Sequence, residues 1–482
     1  MFTKVEECPT TPSSRMFDPA SHHVDLAGAG FEEHEYFVTG TSNVYEWDGT
    51  NVAVRNADVP YVNRVVVRAP SDPARFSGNV VVEILNSTSN FDVDRVWALT
   101  HPLLMRQGDA YVGITSKPNV LRALKAFDPE RYAPLTWALD DPDSANIPEE
   151  KLGNFAGASF HGSEDGLFWD MLADLAEALR KPGNPFLPNL QPAFQYLAGW
   201  SQSGGYIIRW LKTFAYRSER EVPYFDGYFS CGSTSCLMPD LNQGYGPTGQ
   251  TADATLPYLP QPMVEIHTES ENLKWHNYAS ILPDSNIPGR RYRVYGIAGS
   301  THDSQNTWPG WYAGDSDSKR IGVLSTYPGQ ENKPNDFPYE LAFRAALKAL
   351  YAWVREGKVP ESQEPIRADL LHENLPDETG NSQGGWRLPP IEVPLAAYRP
   401  VCAANAESTP IAASLFGYVE NYPLDLAKTL YRSYEHYLEL VEESIRKCVR
   451  KGLLLTEDAD ECRAYCKALA AEVGLAPEGE VA

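Results

Sequence analysis

The chain has no apolar run approaching the ~18 residues that a membrane span needs, so neither a transmembrane segment nor a membrane partner is expected. Basic residues are short as well. Lys and Arg number 41 against 64 Asp and Glu, giving a net charge of −23 that repels a phosphate backbone and excludes nucleic acid as a partner. The opening residues, Met1-Phe2-Thr3-Lys4-Val5-Glu6-Glu7-Cys8, hold acids and no apolar core of a secretory signal, which makes a cytoplasmic location the expectation. Seven cysteines carry no metal signature. Cys231 with Cys236, and Cys462 with Cys466, have no histidine partner at ligand spacing, so zinc is not expected and most are read as buried thiols. In a reducing compartment a disulfide between Cys231 and Cys236 is not expected either.

With 43% hydrophobic and 22% charged residues, the 482 positions read as a soluble globular protein whose acidity serves solubility. Short β-branched runs alternate with helical segments, the pattern of an α/β fold with a mostly parallel central sheet and flanking helices. Strands are expected at 62–68, 80–85, 110–115, 194–199, 225–230, 263–268 and 293–298, with a helix over 204–214. Residues 1–60 read as an N-terminal extension packed on the body, and 61–482 as a single domain. Two stretches break its rhythm: 117–166, rich in Pro and Asp, and 232–262, rich in Gly, Pro, Tyr and Gln, are expected as insertions resembling lids or rims over a substrate of moderate bulk. The aromatic cluster Trp308-Pro309-Gly310-Trp311-Tyr312 reads as loop, either anchoring itself to the body or lining a pocket. Helical periodicity returns at 339–355, over 424–451, which opens a helical C-terminal part, and at 458–473.

The segment Phe194-Gln195-Tyr196-Leu197-Ala198-Gly199-Trp200-Ser201-Gln202-Ser203-Gly204-Gly205 carries the chemistry. An apolar strand runs through a small-x-Ser-x-small turn into a helix, which is how a nucleophile elbow exposes a serine hydroxyl. Small residues at 199 and 203 are needed because the sharp turn brings the two backbones together. The helix behind Ser201 turns its positive dipole end to the site, and the backbone N–H of Gln202 is placed to bind an oxyanion. A second register would make Ser203 the nucleophile, but Ser203 falls inside the first helical turn, whereas Ser201 directly follows the strand.

A serine hydroxyl at neutral pH needs a histidine base, and the base must itself be oriented by an acid. Of ten histidines, His302 stands in a loop after the strand at 293–298, where a base can reach back to the elbow. His267 sits inside a strand, and the others precede the elbow or lie outside the strand series. The acid belongs after the strand at 263–268, in the chain order serine, acid, histidine. Glu269 and Glu271 both qualify. A carboxylate a few residues past the strand, in the turn Thr268-Glu269-Ser270-Glu271, has more freedom to turn, which selects Glu271 and leaves Glu269 as runner-up.

The chain resembles the α/β-hydrolase domain-containing proteins, a branch of the α/β-hydrolase superfamily whose elbow reads Ser-Gln-Ser-Gly. The resemblance rests on Arg64-Val65-Val66-Val67-Arg68-Ala69-Pro70, Asp72-Pro73-Ala74-Arg75-Phe76-Ser77-Gly78, Val80-Val81-Val82-Glu83-Ile84-Leu85-Asn86, Thr100-His101 with Leu104-Met105, the elbow, Thr268-Glu269 and Gly417-Tyr418. It departs from that pattern at Ile84, where an aromatic is common, and over Cys231 to Cys236. The resemblance implies one α/β-hydrolase unit over nearly the whole chain, with a second oxyanion donor from the loop after Asn86, the backbone of Ser87. The expected activity is a serine esterase cleaving a small-molecule carboxylic ester through an acyl-enzyme, with Ser201, Glu271 and His302 as triad and neither metal nor organic cofactor. An acyltransferase using the same triad and a non-catalytic ligand-binding scaffold are the alternatives; the substrate and the oligomeric state stay open.

Overall fold

The computed structural model describes residues 1–138, 163–218, 220–233, 238–241, 256, 258–274, 283–322, 332–369, 373–403 and 410–477. Residues 139–162 of the expected insertion at 117–166 and most of that at 232–262, together with Cys236, lie outside the described residues. The chain divides into two compact units: Met1–Met263 with Ile287–Arg291 and Trp311–Leu324, and Val264–Asn286 with Tyr292–Gly310 and Ser325–Ala482. Among the described residues no helix is long and apolar enough to cross a membrane.

In the first unit, strands β1 (Lys4–Glu7), β2 (Phe31–Asp48), β3 (Asn51–Pro70), β4 (Asn79–Ile84), β5 (Ala110–Ile114), β6 (Phe194–Trp200) and β7 (Gly227–Cys231) lie in the order β1-β2-β3-β5-β4-β6-β7. The strands β5, β4, β6 and β7 are mutually parallel. β4, β5 and β7 are buried along their whole length, as parallel strands covered on both faces are. The helices are α1 (Arg95–Gln107), α2 (Val120–Phe127), α3 (Phe168–Arg180) and α4 (Gln202–Thr213). Helix α3 shows the usual logic, burying Phe168, Met171, Leu172, Leu175 and Leu179 at helical spacing.

Residues 1–60, read from the sequence as an extension packed on the body, instead supply sheet strands. β2 and β3 form a long antiparallel hairpin around Gly49, and β3 pairs antiparallel with β5. Its buried acids and bases are matched to one another. Arg68 donates from Nε to Glu33 at 2.6 Å and from Nη1 to Asp94 at 2.7 Å, and also pairs with Asp18. Arg64 donates to Glu35 at 2.5 Å, to Asp92 at 2.9 Å and to the carbonyl of Phe17 at 2.6 Å. Glu83 on β4 is fully buried and accepts the N–H groups of Val96 and Trp97 at the start of α1, at 2.8 and 3.0 Å, and the Tyr111 hydroxyl at 2.8 Å. Burial pushes its carboxyl up to about 8, with Asp94 adding to the rise and the three hydrogen bonds opposing it. Tyr312, from the aromatic cluster, is buried and donates to Asp94 at 3.0 Å, so this ring anchors its segment.

In the second unit the ends of β8 (Leu259–Thr268) and β10 (Arg290–Ile297) are neighbours in the sheet, with β9 (Ser285–Ile287) beyond β10. The short helix α5 (Glu269–Lys274) follows β8 directly. Longer helices span Glu340–Glu356, Tyr434–Arg450 and Ala459–Glu472. The periodic run at 424–451 is two helices, because Arg432 takes a φ of 65° and Ser433 then caps the second by accepting from His436 N–H at 3.2 Å. Cys448, Cys462 and Cys466 are buried on these helices.

Candidate active site

The strand β6 ends at Trp200 and α4 begins at Gln202, which leaves one residue for the turn. That residue is Ser201, with φ 55° and ψ −117°, a backbone conformation that L-residues rarely occupy and that costs about 1–3 kcal/mol. Its N–H donates to the carbonyl of Cys231 at 2.8 Å and its carbonyl accepts from Gly205 at 3.2 Å, so strand and helix hold it from both sides. Close approach explains the small residues. A Cβ on Gly199 would sit 2.6 Å from the carbonyl oxygen of Ser203, and one on Gly204 would sit 2.4 Å from Cβ of Ser233. Ser203 lies within α4, and its buried hydroxyl has no hydrogen-bond partner among the described residues.

Gln202 is the first residue of α4, where a backbone N–H has no intrahelical acceptor. The loop between β4 and α1 carries Ser87, fully buried. In that loop the N–H groups of Asn86, Thr88 and Asn90 go to the Val93 carbonyl, to Oδ1 of Asn86 and to the Ser87 carbonyl, at 3.0, 2.9 and 2.9 Å. The N–H of Ser87 has no acceptor among the described residues. The first unit thus holds the turn serine and both N–H groups that the sequence singled out for an oxyanion.

The second unit holds the residues expected as acid and base. Glu271 and His302 are buried, and the Glu271 Oε1 lies 2.6 Å from Nδ1 of His302. Its other oxygen accepts from the backbone N–H of Thr268 at 2.5 Å and from the Thr268 hydroxyl at 2.7 Å. One carboxylate therefore closes the first turn of α5 and orients an imidazole at once. The loop that carries His302 is fastened along its length: Thr301 donates its hydroxyl to the Pro400 carbonyl at 2.8 Å, Asp303 N–H to Leu415 at 2.7 Å, and the Tyr339 hydroxyl to the His302 carbonyl at 3.3 Å.

Glu269 does different work. Its carboxylate accepts from Gly299 N–H at 2.6 Å and from the Ser382 hydroxyl at 2.6 Å, while its own N–H donates to the Ser300 hydroxyl at 3.1 Å. Burial raises its carboxyl above the usual range against these hydrogen bonds. It ties the loop ahead of His302 rather than the imidazole. His267, inside β8, is buried 3.1 Å from Glu265; burial works against its charged form, but the Glu265 carboxylate prevails and raises it. Sequence reasoning missed Thr268, Ser300 and Tyr339 as supports. The Thr268-x-x-Glu271 spacing was the available sign, since a Glu three residues after a capping Thr reaches back to that residue's N–H.

Among the described residues one group, His22, Asp315 and Asp317, has the proximity of a metal site. Its atoms are already matched internally, His22 Nδ1 to Asp315 at 2.5 Å and the Arg15 guanidinium to Asp317.

Residues 5–464 match the model of a protein family described as an alpha/beta hydrolase domain. No curated protein matches the chain. Solved structures with a similar fold include a siderophore hydrolase, EstA, from Aspergillus nidulans, 14% identical over 55% of this chain and 76% of that one, with a TM-score of 0.26. A carboxylesterase from Lactobacillus plantarum is 8% identical over 53% of this chain and 82% of its own, with a TM-score of 0.28. A bacterial esterase is 13% identical over 60% and 89%, with a TM-score of 0.27.

Proposed function

From a chain that belongs to the alpha/beta hydrolase domain family, we propose a serine hydrolase that cleaves a small-molecule carboxylic ester through an acyl-enzyme, with Ser201 as nucleophile, His302 as base and Glu271 as orienting acid. The observation that carries the reading is the buried Glu271–His302 pair at 2.6 Å. It commits Nδ1 to the acid and so assigns proton transfer to Nε2.

In the first step His302 takes the Ser201 proton as the hydroxyl oxygen bonds to the ester carbonyl carbon. The negative charge that develops on the carbonyl oxygen is met by the N–H groups of Gln202 and Ser87. Collapse expels the alcohol, which leaves with the proton returned by His302. Water then repeats the sequence on the acyl-Ser201 ester and releases the acid. Ser201's turn supports its role: strain held at one residue between strand and helix is what keeps a side chain off both elements. Glu271 stabilises the imidazolium of each tetrahedral intermediate without itself taking the proton.

The test is the mass of the protein after treatment with a fluorophosphonate, the modified peptide located by fragmentation, followed by a panel of esters differing in acyl size. A single adduct on Ser201 with matching loss of ester hydrolysis is expected. An adduct elsewhere, or ester hydrolysis that survives Ser201→Ala, would sink the reading. Added alcohol that outcompetes water for the acyl group would make the enzyme an acyltransferase with the same residues.

A further inference from the structure

Two consecutive residues of the loop between β4 and α1 reach the two residues that flank Ser201. Asn86 donates from Nδ2 to the carbonyl of Trp200 at 2.8 Å. Ser87 donates its hydroxyl to Oε1 of Gln202 at 2.7 Å. All four residues are buried. Among the described residues the Gln202 carboxamide has no other hold, because its Nε2 is buried without a partner there.

The loop that makes these bonds is itself stiff. Asn86 exchanges backbone hydrogen bonds with Val93 at 3.0 and 2.9 Å, and its Oδ1 accepts from Thr88 N–H at 2.9 Å. Asn119, fully buried ahead of α2, donates from Nδ2 to the Ser87 carbonyl at 2.9 Å and to Oδ1 of Asn90 at 3.2 Å.

We propose that Asn86 and Ser87 act through their side chains as positioning residues, a clamp that fixes the Ser87 N–H and the Gln202 N–H at a set separation across Ser201. The inference rests on the reading of Ser201 as nucleophile and of those two N–H groups as oxyanion donors. Its physical reason is that the donors belong to chain segments more than a hundred residues apart, 115 between Ser87 and Gln202. An oxyanion needs both within about 2.7–3.1 Å at once. Donors on separate segments keep that spacing only if the segments are tied beside them, and here the ties come from the donor residues themselves and their neighbours. Because the oxyanion exists only in the transition state, a slack clamp lowers kcat and leaves substrate binding alone.

The Ser87–Gln202 bond can be cut from either side without removing a backbone N–H. Ser87→Ala, Gln202→Ala and the double variant are compared on p-nitrophenyl acetate, with thermal unfolding as a check on the fold. Each single substitution is expected to lower kcat by roughly ten- to a hundredfold, since a misplacement of about 1 Å costs that order, with KM changed less than about threefold. The double variant is expected to be no worse than the weaker single, because both cut one bond. The rate of fluorophosphonate labelling at Ser201 should fall in parallel. Asn86→Ala should add a separate loss of kcat, and if it fails to fold the Ser87 and Gln202 cycle decides alone. Wild-type kcat in the singles, losses that multiply in the double variant, or a rise in KM at constant kcat overturns the clamp while the esterase stands. A wild-type protein that neither hydrolyses esters nor is labelled at Ser201 overturns both.

Discussion

Glu271 gives one carboxylate oxygen to Nδ1 of His302 at 2.6 Å and the other to the N–H and hydroxyl of Thr268. Orientation of the imidazole is thereby built into the start of a helix. A Gln at 271 keeps an oxygen for Thr268 but presents an amide to the ring, which favours the wrong tautomer. Glu271→Gln is expected to lower kcat by up to about four powers of ten with little change in thermal stability. Glu269→Gln, which loosens the contacts to Gly299 and Ser382, should lower the melting temperature and reduce kcat far less. The comparison is made on both purified variants with one ester, and a reversed ranking transfers the acid's role to Glu269.

Thr268→Val removes the hydroxyl from Glu271 Oε2 but keeps the backbone N–H. A drop in kcat of a few-fold to about tenfold is expected, with a stability loss of about 1 kcal/mol for the lost hydrogen bond. Urea unfolding and initial rates measure the two separately. A kcat loss as large as that of Glu271→Gln would mean that the hydroxyl, not the helix geometry, holds the acid.

Ser201 and Ser203 should separate cleanly. Ser201→Ala abolishes hydrolysis, whereas Ser203→Ala, whose hydroxyl has no partner among the described residues, stays active and is as stable as the parent or more so. Ser201→Gly should also be inactive but more stable by about 1 kcal/mol, because glycine occupies φ 55° without penalty. Melting temperatures of the three variants check this, and a Ser201→Gly protein less stable than Ser201→Ala would contradict it.

The elbow leaves no room at Gly199. A methyl there would meet the Ser203 carbonyl oxygen and carbon at 2.6 and 2.7 Å, both backbone atoms that cannot swing aside. Gly199→Ala should therefore cost about 1–3 kcal/mol and displace α4, with activity lost alongside stability. Unfolding free energy and rate are read on the same sample. A stable, fully active variant would show that the turn has slack.

Glu83 links stability to pH. Its carboxyl lies at about 8 in the folded chain against an ordinary value of 4.5, so the folded state binds more protons across that interval. Stability from this group is full below about pH 4.5 and is lost as pH rises through about 8, a change of a few kcal/mol at most. Asp94, Glu164 and Glu340, raised to about 6, 7 and 7 by burial, act in the same direction. Urea unfolding of the wild type between pH 5 and 8.5 should show falling stability, and Glu83→Gln a flatter slope. Equal slopes would remove Glu83 from the account.

How much of this was legible follows from where each signal lies. The strands expected from 80 to 298 each appear within about four residues of their expected bounds, because each is a short run of Val, Ile, Tyr and Phe between turn residues, whereas the strand expected at 62–68 is only the later part of β3, which begins at Asn51. The elbow was legible because its requirement is local: one residue of turn, small neighbours and a helix to follow. The hairpin of β2 and β3 was not. Its acids Glu33 and Glu35 break the apolar alternation, and they are fit for burial because of Arg68 and Arg64 on the facing strand, together with Arg131 and Tyr132, which also bond Glu35. The supports of His302 were equally hidden, since Pro400 and Leu415 meet Thr301 and Asp303 about a hundred residues further along the chain.

That hairpin also bears on the order in which the protein is made. Its acids and bases lie on adjacent arms, Glu33 with Arg68 and Glu35 with Arg64, only 35 and 29 positions apart. A single hairpin segment thus carries its own counter-charges. Asp92 and Asp94 follow fewer than thirty residues later and complete the two arginines before Ser201 has been synthesised. The charges of this hairpin are matched while Ser201, Glu271 and His302 are still to come.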